Sequence, residues 1–403
     1  MRTIPEHRAA ALALVAPTPA LEVPLARAHG LVLATAVRST HALPRWDNSA
    51  MDGFAVRAAD LASASEDAPV TLPRVGELPA GASATEELAP GTCVAIMTGS
   101  PVPPGADAVV PVERVERTPT AVTFRTAPEP GAHIRRAGED VAAGGLVLAA
   151  GAVLGPTQLA AVASVGHGTV TVHRRPRVAV LATGDELVAP GAPLRRGQIP
   201  DSNSTLLAAC VEAAGCEAVP LDRVGDRPDA LHGVLAAAEV HGVDAVVTTG
   251  GVSMGDYDVV KELLSGTGVE FVTVAMQPGK PQGIGRLAGG TPFFGLPGNP
   301  VSVFVSFEMF VRPALQRLRG LTEVERPACE AEVLDGWRSP PGRAQVMPVV
   351  FADGGTRVRR ATPAGSGSHL VASLALAEGL ALVPAETEQV HPGDRVRVMR
   401  VDR

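Results

Sequence analysis

The sequence predicts a multidomain α/β plus β protein whose centre is a doubly wound parallel α/β domain, and three observations predict it. Short apolar strands over 178–182, 245–247, 271–275 and 293–294 each run into a loop of glycine, hydroxyls, carboxylates or lysine. Helical periods lie between them, with Leu206, Leu207, Cys210, Val211 and Ala214 on one face and Leu231, Val234, Leu235 and Ala238 on another. The flanking regions lack this alternation and consist of strand-like pieces separated by Pro-Gly turns. Alternating strands and helices imply a parallel sheet covered on both faces, with ligands bound at the carboxyl ends of its strands.

The remaining elements follow in chain order. Residues 1–45 read as short helices broken by Pro17, Pro19 and Pro24, then a strand over 31–37. With 146–175, where Leu159, Val162 and Ala163 precede the alternating Thr169-Val170-Thr171-Val172, they form an N-terminal extended linker domain. Residues 46–145 form a β-rich insert domain with strands near 70–72, 93–97, 108–112 and 121–124. Residues 176–325 are the α/β domain, closed by a helix over 301–319 with a kink at Pro313. Residues 326–403 form a small C-terminal β barrel, with turns at Asp353-Gly354-Gly355 and Pro392-Gly393-Asp394.

Composition narrows the function classes. A chain of 403 residues with 46% hydrophobic content can bury several cores. A formal charge of -7 without a basic tract argues against nucleic acid as a partner. Cys93, Cys210, Cys216 and Cys329 lack metal-ligand spacing and read as small buried hydrophobes. No apolar run is long enough for a membrane span, so a cytoplasmic location is expected.

The four central loops are chemically specific. Glycine there lets backbone approach a ligand, and amides at the following helix N-termini attract anions. Neither the G-x-G-x-x-G fingerprint nor the G-x-x-x-x-G-K-[ST] P-loop follows these strands, so ordinary nicotinamide and nucleoside-triphosphate binding lose their main support. In Thr183-Gly184-Asp185-Glu186 the two acids suit either paired N–H donors of a pterin or guanine, or helix capping. Asp201, Ser202 and Asp226 precede helical periods and carry the same ambiguity, with capping favoured for Asp226.

Asp256 and Asp258, beyond Gly250-Gly251-Val252-Ser253, form a cluster able to hold Mg²⁺ beside phosphate oxygens. Lys280, between Gly279 and Pro281, is a point charge for an oxyanion. In the insert, Asp47 reads as a turn anchor, Asp52 as turn or site, Thr98-Gly99-Ser100 as a turn resembling an anion nest, and Arg135 to Asp140 as a solvated turn. No histidine pair or nucleophile elbow supports metal-hydrolase or triad chemistry. A carboxylate, hydroxyl and lysine site handling phosphate through a divalent metal remains.

Eight segments in order then resemble one family: D-N-S-A-M-D-G-F-A at 47–55, I-M-T-G-S-P-V-P at 96–103, I-R-R-A-G-E-D at 134–140, T-G-D-E-L at 183–187, D-S-N-S at 201–204, G-G-V-S-M-G-D-Y-D at 250–258, P-G-K-P at 278–281 and L-P-G-N-P-V-S at 296–302. Together they look like the molybdopterin molybdenumtransferases, bacterial relatives of the gephyrin E domain. The resemblance implies a transferase that takes adenylylated molybdopterin and molybdate as substrates, releases AMP with Mg²⁺, and leaves molybdenum on the dithiolene. It also implies a homodimer with the cleft between subunits, and as partners the molybdopterin adenylyltransferase and recipient molybdoenzymes.

By the same resemblance, Asp52, Thr98 and Asp140 would face Glu186, Asp226, Asp258 and Lys280 as catalytic groups, with Asp256 and Asp258 on the metal. Thr183, Gly184, Asp185, Ser202, Gly250, Gly251, Ser253, Pro297, Gly298, Asn299, Pro300 and Ser302 would bind the substrates, joined by Arg343 and Ser368 of the barrel. Two positions depart from the family pattern. Gln277 stands where many relatives carry a second lysine, and Met347-Pro348 replaces a common arginine-glycine pair. An adenylyltransferase on the same fold and a non-catalytic molybdopterin scaffold are the alternative readings.

Overall fold

The computed structural model describes residues 1–83, 85–225, 227–252, 258–362 and 367–401. The chain divides into two compact units, one of Met1–Leu21, Gly30–Ala34 and Thr171–Arg403, the other of Glu22–His29 and Thr35–Val170.

In the first unit a six-stranded sheet runs in the order Glu217–Pro220, Arg177–Ala182, Ala245–Thr249, Pro292–Leu296, Pro281–Arg286, Val269–Thr273. Its first four strands are parallel. The last two pair antiparallel and make a hairpin edge. Only residues 274–280 lie between the strands of that hairpin, too few for the crossover that a parallel pair requires. The Lys280 loop is therefore a strand-to-strand connection, while the other central loops run from strand towards helix. The doubly wound reading holds with this mixed edge added.

Alternation along the strands sorts the core to two faces. Val178, Val180, Val247, Phe294 and Leu296 pack with Leu207, Cys210 and Val211 of the helix Ser202–Ala213 and with the helical segment after Pro300. Ala179, Leu181, Val246 and Phe293 pack with Leu231, Leu235 and Ala238 of the helix Pro228–Val240 and with Val259 and Val260. Each fully buried side chain of this size contributes roughly 1.5–3 kcal/mol, which makes the sheet a stiff base for its loops.

The N-terminus holds two short helical pieces with a strand between them. An α-helix spans Ile4–Ala13, opened by a capping box between Thr3 and Glu6, and a 3-10 turn spans Leu25–Arg27 directly after Pro24. Pro17 and Pro19 fall beyond the end of the α-helix and so stop it without breaking it. A strand follows at Ala20–Pro24.

The long helix expected over 301–319 consists of Pro300–Ser306, a π-helical turn Phe307–Val311, and Arg312–Leu318. The irregularity lies one turn before Pro313. Proline has no N–H for the carbonyl four residues back, which is that of Met309, and Arg8 Nε donates to it at 3.1 Å. The same turn buries Glu308, whose carboxylate accepts from Arg326 at 2.6 and 3.1 Å and lies 3.9 Å from Arg312.

Five strands, Ala344–Ala352, Arg357–Arg360, Ala328–Val333, Arg395–Arg400 and Gly379–Val383, close into the C-terminal barrel by the pairing of the first with the last. Val333, Met347, Val349, Val358 and Val398 fill it. Met347, one of the two family departures, is thus a barrel core residue, and Pro348 lies opposite Leu380. The bridge Met276–Gln277 pairs parallel with Ala344 and Gln345 and joins the barrel to the Lys280 loop.

The second unit contains a six-stranded sheet in the order Ala108–Pro111, Gly53–Val56, Cys93–Ile96, Val70–Leu78, Ala121–Phe124, Val115–Arg117. Gly53–Val56, not among the strands the sequence predicts, is a fully buried strand. Glycine at its head is required because a Cβ there would lie 2.2 Å from the Val110 carbonyl oxygen. Phe54 meets Phe124 edge to face at 6.4 Å within the core. Among the described residues no helix is long and apolar enough to cross a membrane.

Replacing Glu308 by alanine leaves two arginines without their buried counter-charge and should destabilise the first unit by about 3–5 kcal/mol. Urea unfolding followed by emission from Trp337, in the barrel of that unit, measures this; an unchanged midpoint would contradict the assignment.

Candidate active site

The carboxyl ends of the parallel strands carry one connected rim. The Asp201 side chain accepts from Ser204 N at 2.9 Å and so caps the helix Ser202–Ala213, which places Asn203 in its first turn facing inward. Asn203 Nδ2 donates to Thr249 Oγ1 at 3.2 Å and to the Gly298 carbonyl at 2.6 Å. Thr249 Oγ1 donates in turn to the Pro297 carbonyl at 2.9 Å. Backbone bonds from Thr183 N to Thr249 O and from Gly250 N to Leu296 O extend the connection. Buried side chains thereby join three segments, and backbone bonds add the Thr183 loop.

The predicted residues distribute along this rim. Thr183 is buried, while Asp185 and Glu186 are exposed. Gly184 has φ +148, and a Cβ there would lie 2.6 Å from the Glu186 carboxylate. Gly250 has φ +92, and a Cβ would sit 2.6 Å from the Thr183 carbonyl oxygen, so both conformation and space demand glycine. Gly251 lies against Val260. Ser202 is exposed, Gly298 and Asn299 are exposed, Pro297 is buried, and Pro300 opens the next helix with Ser302 buried behind it.

Asp258 stands at the N-cap of Val259–Leu264 but makes no capping bond with its side chain. Its Oδ2 is buried and has no hydrogen-bond partner among the described residues. A buried carboxylate oxygen left unpaired is costly and suits a cation. Asp226, Ser253 and Asp256 lie outside the described residues. Among the described residues no three histidines, cysteines, aspartates or glutamates gather into a complete ligand set.

The Lys280 side chain is exposed on a rigid loop. Gln282, itself buried, donates to the Gly279 carbonyl and to Ser306 Oγ, both at 2.7 Å, and Val274 N donates to the Lys280 carbonyl at 2.8 Å. The barrel reaches the same edge through its backbone. Val301 N donates to the Ser368 carbonyl at 3.1 Å, and Ala344, next to Arg343, donates to the Ala275 carbonyl at 3.0 Å.

In the second unit three of the family-like segments meet. Ser49 pairs with Ile134, Ser49 N donates to the Ser100 carbonyl, and Gly99 N donates to the Ser49 carbonyl. Asp47 is a turn anchor, accepting from Ala137 N at 2.8 Å and Arg136 at 2.6 Å. Asp52 Oδ1 accepts from both the amide and the hydroxyl of Thr98, at 2.7 and 2.8 Å. The amide bond, then the hydroxyl bond, hold its carboxyl below the ordinary range. Asp140 is exposed, its amide bonded to the Leu43 carbonyl.

Three family models match the chain: the MoeA N-terminal region over residues 2–166, a probable molybdopterin binding domain over 179–317, and the MoeA C-terminal region over 330–401. A Mycobacterium tuberculosis molybdopterin molybdenumtransferase 2 is 43% identical over 99% of each chain. The chain belongs to the molybdopterin molybdenumtransferase family. A Nostoc molybdopterin molybdenumtransferase is 37% identical, covering 94% of this chain and 88% of its own. The crystal structure of a molybdopterin biosynthesis moeA protein from Pyrococcus horikoshii superposes with a TM-score of 0.85 at 28% identity, covering 99% of this chain and all of that one. Membership in this family makes the chain a transferase enzyme.

Asn203 and Thr249, which bind the rim together, were not distinguished as site residues by the sequence. The available signal was a polar residue four positions before Leu207, on the stripe that faces the sheet.

Because folding lowers the Asp52 pKa, its linked stabilisation is complete above the unfolded-state carboxylate value and is lost as pH falls through the lowered one. Thr98→Val removes the hydroxyl donor and keeps the amide, so the Asp52 titration should move upward towards the ordinary range. Carbon-detected NMR of the Asp52 carboxyl reads this shift, and a stationary midpoint would refute the cause given.

Proposed function

We propose that this protein acts in molybdenum cofactor biosynthesis, transferring molybdenum from molybdate to adenylylated molybdopterin with release of AMP. The observation that carries the proposal is the tied rim of glycine and hydroxyl loops beside the unpartnered Asp258 carboxylate oxygen. Its relatives named molybdopterin molybdenumtransferase support the same substrate class.

Both substrates are anionic, so the chain must supply positive or hydrogen-bonding groups where charge accumulates. Lys280 provides a cation on a braced loop. Asp185 and Glu186 lie exposed where paired pterin N–H groups can bond to them. Asp258, with Asp256 beyond the described residues, would hold magnesium, which when bound screens the phosphate oxygens during displacement at phosphorus. Carboxylates not engaged in that way orient water. Gln277 at the barrel junction gives this pocket one cation fewer than the family pattern.

The working unit in this reading is a cytoplasmic homodimer, in which Asp52, Thr98 and Asp140 of one protomer complete the site of its partner. Adenylylated substrate comes from a molybdopterin adenylyltransferase, and the product passes to recipient molybdoenzymes.

Incubation with adenylylated molybdopterin, molybdate and Mg²⁺ should yield AMP and mature cofactor together. Asp258→Asn spares the helix, since this side chain makes no cap bond, and should lower kcat by about 10²-fold or more. AMP release by that variant at the wild-type rate, or AMP transfer from ATP by the wild type, would overturn the proposal.

A further inference from the structure

The chain has only two tryptophans. Trp337 is buried in the barrel, where its Nε1 donates to Gln345 Oε1 at 2.8 Å. Trp46 keeps 47% of its surface exposed. In a protein with 3% aromatic residues, leaving the largest apolar side chain in water forgoes burial that the core uses elsewhere.

The surroundings of Trp46 are ordered. Asn48 Nδ2 donates to the Trp46 carbonyl at 3.2 Å, and the neighbouring Asp47 is clamped by Arg136 and the Ala137 amide. The Arg45 guanidinium lies over the indole, 5.7 Å from its centroid. Met51 and Met97, also exposed, flank Asp52 and Thr98 on the same group of loops, which Ser49, Gly99 and Ser100 bind together. One aromatic plane with one cation beside it forms a surface for a small planar heterocycle bearing an anionic substituent. A protein partner would call for a broader apolar face.

We propose that Trp46 stacks on the adenine of the adenylylated substrate and of the AMP product, with Arg45 beside the phosphate. The inference rests on the transferase reading for its substrate. It selects AMP over a pterin without phosphate because the Arg45 cation beside the indole suits the base that carries a phosphate. Trp46 is a binding residue and takes no part in bond making.

Calorimetric titration with AMP, and separately with neopterin, of the full-length wild type, Trp46→Phe and Trp46→Ala tests this. Trp46→Ala should weaken AMP about tenfold, Trp46→Phe should restore most of the loss, and neopterin affinity should stay unchanged. With adenylylated molybdopterin, KM should rise about tenfold in Trp46→Ala while kcat holds. The part of the emission that AMP quenches should vanish in Trp46→Phe, since Trp337 is the other emitter. Equal AMP affinity in all three proteins would overturn the proposal, as would a loss confined to neopterin. So would a Trp46→Ala protein that becomes monomeric by light scattering and regains AMP affinity at high protein concentration. AMP binding needs no turnover. A protein that binds AMP on Trp46 but leaves adenylylated molybdopterin unprocessed would contradict the transferase reading and support this one.

Discussion

The amide of Asn203 is the constraint on which the central site depends. It stands in the first turn of a helix whose cap, Asp201, fixes its direction, and it reaches both the strand end at Thr249 and the loop at Gly298. A buried side-chain amide forgoes water, so its donors must be used within the protein. Here they draw three separate parts of the chain into one rim, and Thr249 passes the connection on to Pro297. The glycines at 250 and 298 then approach each other closely, with 3.7 Å between a Cβ placed on Gly298 and the Gly250 Cα. At Gly250 a Cβ would lie 2.6 Å from the Thr183 carbonyl oxygen, so backbone alone lines the rim there.

The same logic recurs at the other groups. The Lys280 charge would be of little use on a mobile loop; Gln282 and Ser306, both buried, secure the turn that carries it. Asp52 is exposed, yet two donors from Thr98 fix its orientation and keep it ionised. Asp258 differs, with one buried carboxylate oxygen left without a partner among the described residues. Asn203 Oδ1 and Thr248 Oγ1 on the rim are likewise buried without a partner, but of the three only Asp258 is a carboxylate, whose charge a cation would offset.

Much of the architecture was legible in local pattern. The stripes Leu207, Cys210, Val211 and Leu231, Leu235, Ala238 are the buried faces of their helices. The strand over 121–124 and the terminal barrel also follow from alternation and turns. The hairpin strand Pro281–Arg286 was not legible, because P-Q-G-I-G-R has no alternation and two glycines whose absent side chains are explained by neighbours across the sheet. Gly53–Val56 was obscured by the polar residues before it. The role of Asn203 was hidden for a different reason: its partners lie 46 and 95 residues further along the chain, and only the folded sheet brings them together. For Asp52, local sequence left turn and site open, and what favoured site was the collinear family resemblance.

The central claim is that the rim is assembled before any ligand arrives and that Asn203 holds it. Native-state hydrogen exchange of the Thr183 and Gly250 amides, which donate to Thr249 and Leu296, addresses this directly. In the ligand-free wild type both should be protected. In Asn203→Ala both should lose protection together while amides in the middle of the strands Arg177–Ala182 and Ala245–Thr249 keep theirs. Unchanged protection in the variant, or independent exchange of the two amides, would contradict the account.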